Sequence, residues 1–330
     1  MAVVGAGGWG TTLADLLCAA GHEVVIWAYE AEVADEINRL HRNELFLPDA
    51  PLRPSLAATT DVGGAVRGAE LVVAAVPSHA MRRVMAQAAP AIAAGAVVVS
   101  ASKGLEPGTR RRMTEVLAEL LPPGAAVVAL SGPTFAREVY ERQPTAAVVA
   151  AADERTAARA QAALGGRSFR LYTNDDPVGV ELGGALKNVV AIAAGMLEGL
   201  GLGHNPRAAL ITRGLAEITR LGVALGARPA TFAGLAGMGD LMLTATGHLS
   251  RNRSFGVEVG RGRRPAEIMA ERRTVAEGVE TARTAVALGE AAGVELPIVR
   301  EVAGVLFEGR TPGQALESLM ERSLKSEVWS

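Results

Sequence analysis

The chain opens Ala2-Val3-Val4-Gly5-Ala6-Gly7-Gly8-Trp9-Gly10-Thr11-Thr12-Leu13, and no other stretch limits the fold as much. A short apolar run, a glycine-rich turn and apolar residues at helical spacing predict a strand, a tight turn and a helix start. In that setting Gly5, Gly7 and Gly10 carry separate duties: one turns the backbone, one lets it approach a pyrophosphate, and one brings helix and sheet together. The unpaired N–H groups and positive end of the helix then face the phosphates. A chain with 38 glycines produces some such patterns by accident. Here the next segment, His22-Glu23-Val24-Val25-Ile26-Trp27, reads as a second strand that ends just before Glu30. Glu30 lies 20 residues after Gly10. That is where such folds place the carboxylate that bonds the adenosine ribose 2′-hydroxyl.

Up to residue 173, short valine-rich runs alternate with amphipathic stretches. Strands are expected at Leu71–Val76, Ala96–Ser100, Ala125–Leu130, Thr145–Ala150 and, more weakly, Phe169–Tyr172. Helices are expected at Ala31–His41, Ser78–Ala91, Thr109–Leu121, Thr134–Arg142 and Glu154–Leu164, with a proline-rich loop around Pro48, Pro51 and Pro54. Strands apolar throughout, alternating with helices, imply a mostly parallel sheet covered on both faces. Beyond Asn174-Asp175-Asp176-Pro177 the valine runs stop and helical periodicity takes over, most clearly at Val180–Gly199, Ala208–Leu225, Ala282–Ala292, Ile298–Glu308 and Thr311–Glu321. The expected class is therefore α/β: a doubly wound, Rossmann-like dinucleotide-binding domain over 1–173, then an all-α substrate and catalytic domain over 174–330.

A length of 330 residues is enough for two cores. A net charge of −2 argues against nucleic acid or an anionic membrane as the main partner. The lone Cys18 cannot form an internal disulfide and falls on the apolar face of the first helix, so packing is its expected role and reducing cytoplasm its expected compartment. The start shows no charged region followed by an apolar core, so no signal peptide is expected. The run Ala88–Ser100 is broken by Pro90 and Gly95 and is too short to span a bilayer, so no stable membrane insertion is expected.

Three polar clusters follow predicted strands: Val76-Pro77-Ser78-His79, Ser100-Ala101-Ser102-Lys103-Gly104 and Leu130-Ser131-Gly132-Pro133-Thr134-Phe135-Ala136. Lys103, flanked by small residues, is a candidate for holding an anion or a carbonyl oxygen, against the plainer reading of a solvated loop lysine. A fourth cluster, Glu181-Leu182-Gly183-Gly184-Ala185-Leu186-Lys187-Asn188-Val189-Val190-Ala191, puts Lys187 inside an almost wholly apolar helix. An ammonium buried there must be paired or lose its proton, and a second cation nearby lowers its pKa toward the range of a general base. The alternative is a lysine whose head snorkels to solvent. A fifth cluster runs Ala236-Gly237-Met238-Gly239-Asp240-Leu241, then Thr244-Ala245-Thr246-Gly247 and Leu249-Ser250-Arg251-Asn252-Arg253. Asp240 is suited to orienting a lysine or hydroxyl, and Arg251 with Ser250 and Asn252 offers donors suited to a phosphate. His41, His204 and His248 have no metal-ligand spacing, so no metal is expected. The arginines of 261–264 and Arg272-Arg273 read as solvated faces.

Together these clusters resemble the NAD(P)-dependent glycerol-3-phosphate dehydrogenases of the bacterial type. The resemblance runs over nearly the whole chain: G-x-G-x-W-G-T, V-P-S-H, S-K-G, L-S-G-P-T-F-A-x-E-V, L-K-N-V-x-A-I-A-x-G, A-G-M-G-D-L, S-R-N-R-x-F-G and V-A-E-G-V-x-T, all in order. It implies reversible hydride transfer between C2 of sn-glycerol 3-phosphate and the nicotinamide, giving dihydroxyacetone phosphate, in the service of phospholipid synthesis. By matching motif, Lys187 resembles the general base, and Lys103 and Asp240 resemble the groups that orient substrate and base. Gly132 and Thr134 resemble lining of the same pocket. Ser250, Arg251 and Asn252 match the segment that holds substrate, with Arg251 also reaching the cofactor. Gly8, Trp9, Ala136, Val275 and Glu277 match cofactor contacts. The chain departs from the pattern at Gly8, where many members carry serine, and at Tyr29-Glu30, where many carry arginine or histidine near the ribose. A carboxylate there favours a ribose hydroxyl over a 2′-phosphate, so NAD is expected ahead of NADP.

Two rival readings remain at this stage. A β-hydroxyacid dehydrogenase shares the two-domain plan but places an asparagine three or four residues after its lysine, where this chain has Val190 and Ala191. A non-catalytic NAD(H) sensor needs neither Lys103 nor Lys187. The expected partner is a small phosphorylated substrate, and the apolar helical half makes a homodimer plausible.

Overall fold

The computed structural model describes residues 1–271, 276–324 and 326–327. Its strands are Ala2–Val4 (β1), Val25–Trp27 (β2), Ala57–Thr59 (β3), Leu71–Ala74 (β4), Val97–Ser100 (β5), Ala126–Ser131 (β6), Thr145–Ala150 (β7) and Phe169–Asn174 (β8). They form one sheet in the order β3-β2-β1-β4-β5-β6-β7-β8. All neighbours are parallel except β6 and β7. The helices of this half are Gly8–Ala19 (α1), Ala31–Leu40 (α2), Val62–Val66 (α3), Met81–Ala88 (α4), Met113–Leu120 (α5), Ala136–Tyr140 (α6) and Glu154–Leu164 (α7).

The period of two along each strand sends alternate side chains into two cores. Val3, Val73 and Val99 join Leu13 and Leu17 of α1 on one face, whereas Val4, Val72 and Val98 join Met81 and Met85 of α4 and Leu117 of α5 on the other. With both faces covered, every strand position must be apolar, which is why the runs read as continuous valine rather than as alternation. Cys18 is buried and unpaired within the first of these cores. Because β1 to β6 run the same way, their carboxyl ends lie along one edge, and the loops that leave it carry the polar clusters. A ligand site at that edge is the rule for open sheets of this kind.

The second half comprises Pro177–Gly199 (α8), His204–Ala224 (α9), Pro229–Phe232 (α10), a π-helical turn at Leu235–Gly239, Asp240–Thr246 (α11), Arg251–Gly260 (α12), Pro265–Glu271 (α13), Glu277–Ala292 (α14), Pro297–Phe307 (α15) and Pro312–Met320 (α16). Asp176 caps α8 by accepting from the Gly179 N–H at 2.9 Å, while its other oxygen takes the Arg228 N–H at 2.9 Å and the Thr231 hydroxyl at 2.6 Å. α8 is long and apolar enough to cross a membrane by length and composition, yet 94% of its most apolar window is buried inside the protein. It is the core helix of this half, wrapped by α9, α11, α12 and α14. α12 crosses it closely, since a Cβ at Gly256 would lie 2.0 Å from the Ile192 carbonyl oxygen.

Several boundaries differ from the sequence-based expectation for physical reasons. The second strand keeps only Val25–Trp27, because its partners β1 and β3 offer three residues each. The expected helix over 78–91 divides into a 3₁₀ turn at Ser78–Ala80, α4, and a 3₁₀ turn at Ala89–Ala91 around Pro90, which has no N–H to continue the ladder. The helix expected from Thr109 starts at Met113, since Leu105 and Arg112 pair across a tight turn in which Arg110 takes a φ of 62°. Helix α6 covers only Ala136–Tyr140, so Thr134 lies in the loop ahead of it.

Candidate active site

The glycine turn divides its duties as its positions require. Gly5 adopts a φ of +117°, and a Cβ there would lie 2.8 Å from the Ala75 carbonyl oxygen. A Cβ on Gly10 would lie 1.9 Å from the Gly5 carbonyl oxygen and 3.2 Å from the Ala75 Cβ, so the helix can lie this close to the strands only with glycine there. Gly7 has nothing within 4 Å of the place a Cβ would occupy. Its bareness answers no neighbour inside the protein, and it leaves the backbone open on the side where a pyrophosphate would lie. The N–H groups of Gly8, Trp9 and Gly10, in the first turn of α1, meet no acceptor among the described residues. Open backbone plus unpaired donors at a helix start fits a dinucleotide pyrophosphate. A side chain at Gly8 is excluded by the Phe46 carbonyl oxygen, 2.6 Å from where its Cβ would be. The loop held by Asn43, which donates to the Ala6 carbonyl at 2.8 Å, thus accounts for the missing serine.

Trp9 packs edge-on against Phe169 with ring centroids 6.3 Å apart, and its indole N–H is buried without a partner among the described residues. Ala136 opens α6, and its carbonyl accepts the Thr12 hydroxyl at 3.1 Å, tying that loop to α1. Tyr29 and Glu30 follow β2 at the same edge, Tyr29 being 68% exposed.

Lys103, Lys187 and Asp240 meet where the β5 loop touches the helical half. Lys103 Nζ donates to Asp240 Oδ2 at 2.9 Å, to the Gly132 carbonyl at 2.8 Å and to Thr134 Oγ1 at 3.1 Å. Lys187 Nζ donates to Asp240 Oδ1 and, at 2.7 Å, to Thr244 Oγ1. Asp240 is 1% exposed and Lys187 5%. The lysine is therefore paired inside the protein and does not snorkel. Burial lowers its pKa to about 7, against the pull of Asp240 and with help from the second cation, Lys103. An ammonium with that pKa exchanges its proton near neutral pH, as a general acid or base must.

Around this centre two of the expected substrate-binding residues also serve the packing of the helices. Ser250 Oγ accepts the Arg253 N–H at 3.1 Å as the cap of α12. Asn252 donates to Asn188 Oδ1 at 3.0 Å and accepts the Gly278 N–H at 3.0 Å. Of the expected phosphate-binding trio, only the Arg251 side chain is exposed, and it lies within electrostatic reach of Glu277. Ser250 and Asn252, expected to hold substrate together with Arg251, also hold α12 and α14 in place through their side-chain oxygens. Burial raises the pKa of Glu277, while Arg251, Lys103 and Lys187 work to lower it, so this carboxyl faces the same cluster. Val275 lies outside the described residues, as do Arg272 and Arg273. His41 caps α2, His204 opens α9, and no cluster of three metal-ligating side chains occurs among the described residues.

The sequence reading passed over Asn188 and Thr244 as site residues. Asn188 donates to the Lys103 backbone carbonyl at 3.3 Å, linking the lysine loop to α8, and Thr244 is a direct partner of Lys187. Each carried a signal: Asn188 adjoins Lys187, and Thr244 lies four residues beyond Asp240, on the same helical face.

The profile of the NAD-dependent glycerol-3-phosphate dehydrogenase N-terminus matches residues 1–157, and that of its C-terminus residues 176–317. This chain belongs to that family. It is 54% identical over 329 residues to the glycerol-3-phosphate dehydrogenase [NAD(P)+] of Citrifermentans bemidjiense, covering 99% of this chain and 98% of the relative. The Koribacter versatilis enzyme of the same name is 50% identical, covering 100% of this chain and 99% of the relative. The crystal structure of glycerol-3-phosphate dehydrogenase from Coxiella burnetii superposes with a TM-score of 0.93 at 39% identity, covering 97% of this chain and 98% of that one. Family membership thus rests on the whole chain, with the helical half included.

Proposed function

We propose that this chain interconverts sn-glycerol 3-phosphate and dihydroxyacetone phosphate, with NAD(H) favoured over NADP(H), in the cytoplasm and in the service of phospholipid synthesis. One observation carries the reading: a buried lysine with a pKa near 7 shares a carboxylate with a second lysine beside the dinucleotide edge. Uncharged Lys187 accepts the C2 hydroxyl proton as the C–H bond breaks and the carbonyl forms. Bound NAD supplies the acceptor for the departing hydride at nicotinamide C4. Lys103 stabilises the oxygen on which negative charge develops, exchanging a neutral acceptor, the Gly132 carbonyl or Thr134, for that oxygen. Asp240 fixes both ammonium groups, and Arg251 supplies the cation for the phosphate. Residues 1–173 form the dinucleotide-binding half and supply Lys103, and residues 174–330 supply Lys187, Asp240 and Arg251. Glu30 sets the cofactor preference by accepting from the ribose 2′-hydroxyl.

Loss of absorbance from NADH on adding dihydroxyacetone phosphate tests the reading. Unphosphorylated dihydroxyacetone and a β-keto acid serve as controls. Turnover confined to the phosphorylated ketone is expected; turnover of the keto acid alone would favour the β-hydroxyacid reading, and nucleotide binding without any turnover would favour a sensor.

A further inference from the structure

Arg83, the third residue of α4, stands on the carboxyl edge of the sheet one strand away from the dinucleotide turn. It is exposed and reaches back across β1, so that its guanidinium carbon lies 5.9 Å from the centroid of the Tyr29 ring. Tyr29 is itself steadied by an edge contact with Trp27, centroids 6.3 Å apart, and Trp27 is anchored through its indole N–H to the Thr60 carbonyl at 3.0 Å. The aromatic ring thus keeps a guanidinium near the end of β2, on the residue that precedes Glu30, where the adenosine ribose of a dinucleotide lies. Its neighbour Arg82 pairs with Glu106 and Glu119, whereas no carboxylate partner for Arg83 is found among the described residues. A planar cation set against an aromatic ring, with no carboxylate holding its N–H fork, is suited to a phosphate monoester.

We propose that Arg83 is the residue that receives the adenosine 2′-phosphate, so that NADP(H) is tolerated despite Glu30. The two side chains act in opposite senses on one position of the ligand: Glu30 accepts from a 2′-hydroxyl, and Arg83 donates to a 2′-phosphate. Cofactor choice is then a balance between strand β2 and helix α4, with Tyr29 as the platform that brings the helix's cation into range. This inference rests on the cofactor reading above and adds a residue for discrimination between the two nucleotides.

The test is calorimetric titration of the full chain with adenosine 2′,5′-bisphosphate and with ADP, for wild type, Arg83→Gln, Arg83→Lys and Tyr29→Ala. Arg83→Gln is expected to lose about tenfold or more in affinity for the 2′,5′-bisphosphate while ADP affinity stays within about twofold. Arg83→Lys should recover part of the loss, and Tyr29→Ala should weaken the 2′,5′-bisphosphate more than ADP. Equal losses for both ligands, or an unchanged ratio, overturn the assignment while leaving the cofactor reading intact. Failure of wild type to bind either nucleotide overturns both.

Discussion

Lys187 and Asp240 meet as a pair of opposite charges almost wholly closed to solvent, the ammonium donating to one carboxylate oxygen while the other oxygen is taken by Lys103. Two cations therefore share one hydrogen-bonded anion. Asp240→Asn leaves them with only neutral hydrogen-bond partners, Glu277 acting on them at longer range, and a buried pair broken on one side costs about 3–5 kcal/mol. Urea unfolding should show a loss of that order, and the apparent pKa of turnover should fall below 7, because the carboxylate that opposes burial at Lys187 is gone.

Lys187→Met separates chemistry from stability. Removing a general acid–base group costs roughly 10²–10⁴ in rate. The folded-state pKa of about 7 lies below the ordinary value of 10.5, so the unfolded chain binds the extra proton between those limits. Stability from this group is thus least below pH 7 and recovers as pH rises toward 10.5. The variant, having no ammonium to bury, should melt at or above the wild-type temperature at pH 7 and lose that advantage by pH 10, with ADP affinity unchanged.

Glycines of the nucleotide turn should respond differently to an added side chain. Gly10→Ala drives a Cβ into the Gly5 carbonyl and should lower stability by several kcal/mol in thermal unfolding. Gly7→Ala meets no protein atom and has a φ of −65°, so its melting temperature should match wild type while ADP affinity falls about tenfold or more. Gly8→Ser should not restore a phosphate contact, because the Phe46 carbonyl occupies its space.

Outside the site, Glu217 on α9 accepts the Ile298 N–H at 2.8 Å at the start of α15, and burial raises its pKa to about 7. The folded state then holds a proton that the unfolded chain releases from pH 4.5 upward, so stability from this group falls as pH rises from 4.5 to 7. The full change is about 3 kcal/mol. Denaturant titrations at pH 5 and pH 8 should show this slope in wild type, and Glu217→Gln should flatten it.

Much of this was legible from the order of residues, and the gaps have physical causes. The glycine turn could be read because each of its glycines answers a different steric demand, and the strands because a sheet buried on both faces tolerates only apolar runs. Strand β3 was missed because Ala57-Ala58-Thr59, an edge strand, carries none of the valine that marks the others. Helix α12 was missed because Arg251, Asn252 and Arg253 read as ligand-binding loop, although Asn252 and Arg253 are buried by polar partners on α8. Lys187 stood out because a cation in an apolar helix needs a reason; Asn188 beside it looked ordinary, since its partner in the Lys103 loop is 85 residues away in sequence.

The most direct test of the account is the rate of hydride transfer from NADH to saturating dihydroxyacetone phosphate in a single turnover, followed from pH 5.5 to 9 for wild type and Lys187→Met. Reduction needs the protonated lysine, so the wild-type rate should fall as pH rises through a transition near 7, and the variant should be slower by roughly 10²–10⁴ with no transition there. A Lys187→Met enzyme that keeps the wild-type rate and pH profile would contradict the assignment of Lys187 as the group that exchanges the proton at C2.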